Sequence, residues 1–134
     1  MDRIGTDKDK LKTDDGINSL TEQIIGCAFK MSNTSGSVFL EKVYENALAL
    51  EHKKAGLTVK QQSPLKVFYD EVVVGEYVAD LVVEEQVLVD LKSVKALDKI
   101  HMAQCMNYLK ATGLQICLLM NFGQPRIEIK RIVL

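Results

Sequence analysis

Between Asp80 and Lys92 the chain reads Asp-Leu-Val-Val-Glu-Glu-Gln-Val-Leu-Val-Asp-Leu-Lys. Two aspartates with a lysine two residues after the second are the residue types that hold a hard divalent cation and work on a water beside it. The two apolar runs, Leu81-Val82-Val83 and Val87-Leu88-Val89, flank the polar Glu84-Glu85-Gln86. Short β-branched runs about a polar break predict a β-hairpin. A turn on those three residues sets Asp80 across from Asp90, or one residue off it. Strand side chains alternate, so Asp90 and Lys92 share a face and Leu91 points away. Like charges facing across a ladder repel, and a divalent cation between them reverses that sign. A lysine alongside would steady a water or a developing negative charge, the chemistry of metal-assisted phosphodiester hydrolysis. The bland alternatives are a strand-end carboxylate at Asp80 and an ion pair between Asp90 and Lys92. Glu84 and Glu85 read as a solvated turn.

The elements that must position these residues follow from apolar spacing and breakers. Residues 1–16 have no apolar periodicity and read as a flexible tail, which leaves 17–134 as one domain. Ser19 can cap a helix from Leu20, with Leu20, Ile24, Ile25, Ala28 and Phe29 on its apolar face. Residues 32–37 form a polar break. A second helix is expected over 38–55, with Leu40, Val43, Ala47, Leu48 and Leu50 as its core face and Gly56 just beyond its end. Val59 to Gln62 and Leu65 to Tyr69 read as extended segments about a bend at Pro64, and Asp70-Glu71 turns the chain into Val72 to Val83, interrupted at Gly75-Glu76. After the Val87–Lys92 strand come a helix over 97–112 stopped by Gly113, a buried strand at 116–121 and a last strand at 127–133. The order is that of an α/β domain.

On the second helix, Glu41 and Tyr44 share a face, with Glu45 close to it. On the third, His101, Gln104 and Tyr108 fall on one stripe. A polar stripe is ordinarily a wet helix face. In sequence, however, these residues complete a pattern. Asp80 with Asp90-Leu91-Lys92 resembles the split D…(D/E)-x-K signature of the PD-(D/E)XK nuclease superfamily, though Ala79 stands where its proline would be. Leu40 to Leu48, with Glu41 and Tyr44, His101 to Leu109, and Asn121-Phe122-Gly123 followed by Arg131-Ile132-Val133 resemble the small bacterial GxxExxY proteins of that superfamily. The likeness spans roughly residues 20 to 133. Val38 occupies the position of the glycine that names the branch, so the loop before Glu41 departs from its pattern.

The resemblance implies a PD-(D/E)XK nuclease-like αβββαβ core, with an additional N-terminal helix and a C-terminal strand. It implies a metal-dependent nuclease, expected to act on DNA, using Mg²⁺ or Mn²⁺. Asp80 and Asp90, with help from Glu41 and the Leu91 carbonyl, would hold the metal. Lys92 would act on the water. Gln104 and Tyr108 would place the nucleic-acid backbone, with His101 as a second base or phosphate contact and Tyr44 packing or hydrogen-bonding beside Glu41. Two other readings stay open. One is a catalytically weak nucleic-acid-binding module of the same fold. The other is a structural or partner-binding protein in which these charges form an ion-pair network.

Composition bounds these readings. Apolar residues make up 47% and charged residues 26% of 134, ordinary for a globular domain. The net charge of −1 counts mildly against a protein that coats nucleic acid. No apolar run approaches the roughly 20 residues of a membrane span, and the first residues carry no apolar signal core, so a cytoplasmic protein is expected. The three cysteines, Cys27, Cys105 and Cys117, have no zinc spacing and read as buried free thiols. A homodimer is left open, since a small nuclease cutting a duplex benefits from two sites.

Overall fold

A computed structural model describes residues 14–35 and 40–134. The first thirteen residues of the expected tail and the loop around Val38 lie outside the described residues. The elements run α1 (Asp14–Ser35), α2 (Glu41–Lys54), β1 (Val59–Tyr69), β2 (Val72–Val83), β3 (Val87–Lys92), α3 (Lys99–Thr112), β4 (Ile116–Asn121) and β5 (Glu128–Val133). The strands form one sheet in the order β1-β2-β3-β4-β5. Only β3 and β4 are parallel, joined by the α3 crossover, and the other pairs are antiparallel.

The central strands explain the layering. Nearly every residue of β3 and β4 is buried, as expected of strands covered on both faces. On one face α1 and α2 pack against Leu81, Val83, Val89, Leu91, Leu118 and Met120. On the other, α3 covers Leu88, Cys117 and Leu119 with Cys105 and Leu109. Each fully buried aliphatic side chain contributes roughly 1.5–3 kcal/mol, so these two layers hold β3 in place. Among the described residues no helix is long and apolar enough to cross a membrane. All three cysteines are buried free thiols, as their contexts predict.

Several local expectations are corrected. The first helix begins at Asp14 rather than near Leu20 and continues through Ser35, into the expected polar break. Ile17 is buried and extends the Leu20–Ile24 stripe by a turn, while Phe29 stays exposed. The buried face of α2 is Tyr44, Glu45, Leu48, Ala49 and His52. Leu40, Val43 and Leu50 are exposed, so the helix is rotated from the face that apolarity alone selects. Strand β1 runs unbroken through Pro64, and β2 runs unbroken through Gly75-Glu76. Glu84 is not merely solvated: its Oε2 accepts from the N–H and hydroxyl of Thr58, both at 2.6 Å, clamping the turn to the start of β1.

Candidate active site

The site opens where β2 and β3 part. Their ladder runs Leu81↔Val89, Val82↔Leu88 and Val83↔Val87, which makes Asp80 and Asp90 the next pair outward. The ladder stops there because a side chain takes over. Asp80 Oδ2 accepts the Leu91 N–H at 2.8 Å, filling the place of a backbone carbonyl. Beyond this point β2 stays paired with β1 only.

Asp90 is buried on the α3 side of β3. Its carboxyl is pushed up to about 7, chiefly by burial, with the hydrogen bond and charge of Asp80 adding and the Lys92 charge opposing. Asp80 and Asp90 are thus neighbours across the strand gap, and Asp80 adds to the rise that burial imposes on the Asp90 carboxyl. Lys92 Nζ lies 3.7 Å from Asp90 Oδ2 and donates to Gln104 Oε1 at 3.1 Å. Cys105 Sγ lies 3.7 Å from the same Asp90 oxygen. As period two requires, Asp90 and Lys92 face α3 while Leu91 enters the opposite core. Near neutral pH burial outweighs the lysine's pull, so Asp90 and Lys92 are not a fully charged ion pair.

On the α2 side the glutamate tied into this cluster is Glu45. It is buried, and its oxygens accept from Gln61 Nε2 and Gln62 Nε2, both at 2.7 Å, and from Lys42 Nζ at 3.1 Å. Gln62 Nε2 also reaches Asp80 Oδ1 at 3.4 Å. Gln62 takes a left-handed φ of 50°, a cost of roughly 1–2 kcal/mol for a residue with a Cβ. That kink turns the amide between the two carboxylates. A continuous polar path thus runs from Glu45 through Gln62, Asp80, Asp90 and Lys92 to Gln104. Glu41, one turn earlier on α2, is exposed.

The remaining candidate residues are placed as follows. Tyr108 is buried beside the site, its ring 5.3 Å from that of Tyr77. Its hydroxyl is pushed up to about 12 by burial and by the charges of Asp90 and Asp80. Tyr44 is sealed in the core, stacked on Phe122 with centroids 4.5 Å apart and planes 8° from parallel, so its ring face is spent on packing rather than open to a substrate. His101 closes a capping box: the Asp98 N–H donates to its Nδ1 at 3.1 Å, while Asp98 Oδ1 accepts the Ile100 and His101 N–H groups. That role starts α3 one turn before Gln104.

The sequence reading missed three supports. Glu45 was visible only as a neighbour of the Glu41 face. Gln62 gave no signal, because its role depends on a kink. Asn121, which the sequence offers as a motif residue without a role, is buried, with Oδ1 accepting from Val94 and Gly123 N–H at 2.9 Å and Nδ2 donating to the Val94 carbonyl at 2.9 Å. It fastens the segment leaving Lys92 to the end of β4. Gly123 must be glycine there, because a Cβ would overlap the Val94 backbone.

The carboxylate pair can be tested against a metal by its donors. Among the described residues no set of three or more His, Cys, Asp or Glu side chains is grouped to hold an ion. The pair alone is an ordinary Mg²⁺ donor set, since Mg²⁺ keeps several waters and binds through one or two carboxylates. The repulsion that the Asp80 charge adds at Asp90 is relieved when a cation stands between the two carboxylates. The residues fit.

A mixed sheet with helices on both faces, and an acidic pair with a lysine where two central strands part, define a nuclease-like α/β domain. The PD-(D/E)XK nuclease superfamily model matches residues 18–132, and the chain belongs to that superfamily. No curated protein and no solved structure matches the chain.

Proposed function

We propose that this protein is a metal-dependent nuclease that hydrolyses DNA phosphodiester bonds at the Asp80–Asp90–Lys92 site. The observation that carries the reading is the facing of Asp80 and Asp90 at the strand gap, with Asp80 capping the Leu91 N–H and Lys92 3.7 Å from Asp90 and held by Gln104. Asp80 and Asp90 would hold Mg²⁺ or Mn²⁺, and the Leu91 carbonyl lies on the same β2-facing edge of β3 as its N–H. When bound, the ion supplies Lewis acidity toward a phosphoryl oxygen and lowers the pKa of a bound water.

The chain's own residues supply the rest. The Lys92 ammonium orients the attacking water and stabilises negative charge that grows on the phosphoryl group. Gln104 fixes the Lys92 head group, and its amide nitrogen remains available to a phosphate oxygen. Help from α2 is assigned to Glu45 rather than Glu41, because Glu45 is joined to Asp80 through Gln62. Tyr108 shields the α3 side of the pair. Lys99 and Lys110, exposed at either end of α3, offer phosphate contacts.

The test is purified protein with linear and circular DNA, single- and double-stranded, and with RNA, in Mg²⁺ and in Mn²⁺. Cleavage of DNA that stops on chelation is expected. Binding without cleavage of any substrate would replace this reading with that of a nucleic-acid-binding module.

A further inference from the structure

Helix α1 runs from one end of the sheet to the other. Ile17, near its start, lines a cavity with Glu85, Gln86 and Gly113 at the turn end of the β2–β3 hairpin. Phe29 and Ser32, on the order of 20 Å further along the helix, stand at the opposite end, where the candidate site opens. There they meet the loop that leaves β4. Phe29, Ser32, Pro125, Arg126 and Ile127 enclose a cavity of about 310 Å³, at the low end of the range for small-ligand sites. Ile127 is buried, as are Leu20, Ile24 and Met31 of α1, whereas the Phe29 ring is 41% exposed.

The cavity is fastened to the site. Lys92 pairs with Asn121 and Asn121 with Glu128, and the Phe122 N–H donates to the Lys92 carbonyl at 2.8 Å. Two strand spacings and two residues of chain separate the Arg126 backbone from that of Lys92, at most about 18 Å. Successive phosphates of one strand stand roughly 3.4 Å apart along a duplex and farther when the strand is extended, so the cavity lies within about five nucleotides of a phosphate at Lys92. Charge favours a phosphate chain on this path. Gln124 Nε2 donates to the Lys95 carbonyl, which holds the exposed Lys95 beside the loop, and Arg126 is exposed as well. The nearby acid, Glu128, is turned inward, its Oε1 accepting from the Leu97 N–H at 3.4 Å and from Asn121 Nδ2 at 3.3 Å.

We infer that this cavity is a stacking subsite for one nucleotide of a single-stranded nucleic acid whose backbone continues to the Asp80–Asp90–Lys92 site. Phe29 offers a flat apolar face to the base and Pro125 a second apolar wall. The Arg126 guanidinium pairs with the adjoining phosphate, and the Ser32 hydroxyl is a polar contact for the sugar or the base edge. A duplex keeps its base faces covered by stacking, so the subsite selects single strands and unpaired ends. Every base has a π-face, so no sequence is read. The inference rests on the reading of the site as a DNA nuclease.

The chain has no tryptophan, so Phe29→Trp places one fluorescent reporter in the cavity. Measurements in a metal chelator keep cleavage from intervening. A single strand of about ten nucleotides should quench the indole, and a duplex of the same sequence should not. A free deoxynucleotide reaches only one of the two contact regions and should bind about tenfold more weakly or worse. Phe29→Ala should weaken single-strand binding, read by anisotropy of a labelled oligonucleotide, roughly 5- to 150-fold. Arg126→Ala should lower the salt slope of log affinity by about 0.7, one phosphate's share on a single strand. Circular dichroism of both alanine variants should match wild type. No quench, equal quench by duplex, a free nucleotide that binds as tightly as a strand, or alanine variants with wild-type affinity and salt slope would each overturn the inference. Cleavage in Mg²⁺ is read separately. A protein that cuts without quench keeps its nuclease site and loses the subsite; quench without cleavage keeps the subsite and removes the nuclease reading.

Discussion

On the proposed reading, two carboxylates, one lysine and one glutamine divide the work at the residue scale. Lys92 is not a ligand, because a charged ammonium has no free lone pair. Lys92→Ala should therefore cut hydrolysis by about a hundredfold or more, the usual loss for a transition-state charge stabiliser, while Mn²⁺ affinity measured by electron paramagnetic resonance changes little. Equal cleavage by wild type and Lys92→Ala would move the active site elsewhere. Asp90 contributes differently. Its folded-state pKa lies above the unfolded value of 3.8, at about 7, so at neutral pH the native state retains a proton that the unfolded chain releases, and folding is opposed. Asp90→Asn should thus raise the melting temperature, by about 1 kcal/mol or more in stability, and abolish metal binding. A lower melting temperature would mark Asp90 as a structural ion-pair partner instead. Of the α2 glutamates, Glu45→Gln should depress cleavage more than Glu41→Gln, read as kcat under saturating metal. This ordering was only half legible in sequence. Spacing put both glutamates near one face, and burial by Gln61 and Gln62 selects between them.

Among the elements, the Asp80–Lys92 hairpin was the most legible part of the chain. Its polar break fixes the turn, the turn fixes the register, and the register sets which side chains meet. Helix α2 was less legible. Its exposed Leu40, Val43 and Leu50 are more apolar than the buried Glu45 and His52, so hydrophobicity alone picks the wrong face. The polar path to Asp80 and the Tyr44–Phe122 stack decide the rotation instead. The tie between the β3 exit and the end of β4 was not legible at all, since it joins Val94 to Asn121 and Gly123 across 27 residues or more. Gly123→Ala should force the Val94 segment away and cost about 2 kcal/mol or more, in the range of overpacked or strained sites. Lys92 sits two residues before Val94, so activity should fall further than stability predicts. Urea unfolding midpoints beside cleavage rates separate the two effects. Unchanged midpoints would show that the loop yields freely.

The whole molecule rests on a sheet buried on both sides, and its pH response should report that burial. His52 lies fully enclosed between α1 and α2, near the Ile24 carbonyl, with neither ring nitrogen reaching a hydrogen bond. Burial lowers its pKa from 6.5 to about 4. Between those values the unfolded chain takes up a proton that the native state refuses, so stability is full above pH 6.5 and is lost as pH falls toward 4. At about 1.4 kcal/mol per pH unit, this group removes at most about 3.5 kcal/mol. His52→Leu should keep or raise stability at pH 5 relative to wild type and shrink the difference between pH 7 and pH 5. The fold class was readable from element order, and superfamily membership from the motifs that α2, the hairpin, α3 and the β4 end carry in sequence. The claim on which the functional account turns is that the carboxylate pair at the strand gap is a metal site. Crystals soaked in Mn²⁺ and measured at the manganese absorption edge test it most directly. The account predicts an anomalous peak contacting the carboxylates of both Asp80 and Asp90, lost in Asp80→Asn; a peak elsewhere, or none at that gap, would contradict it.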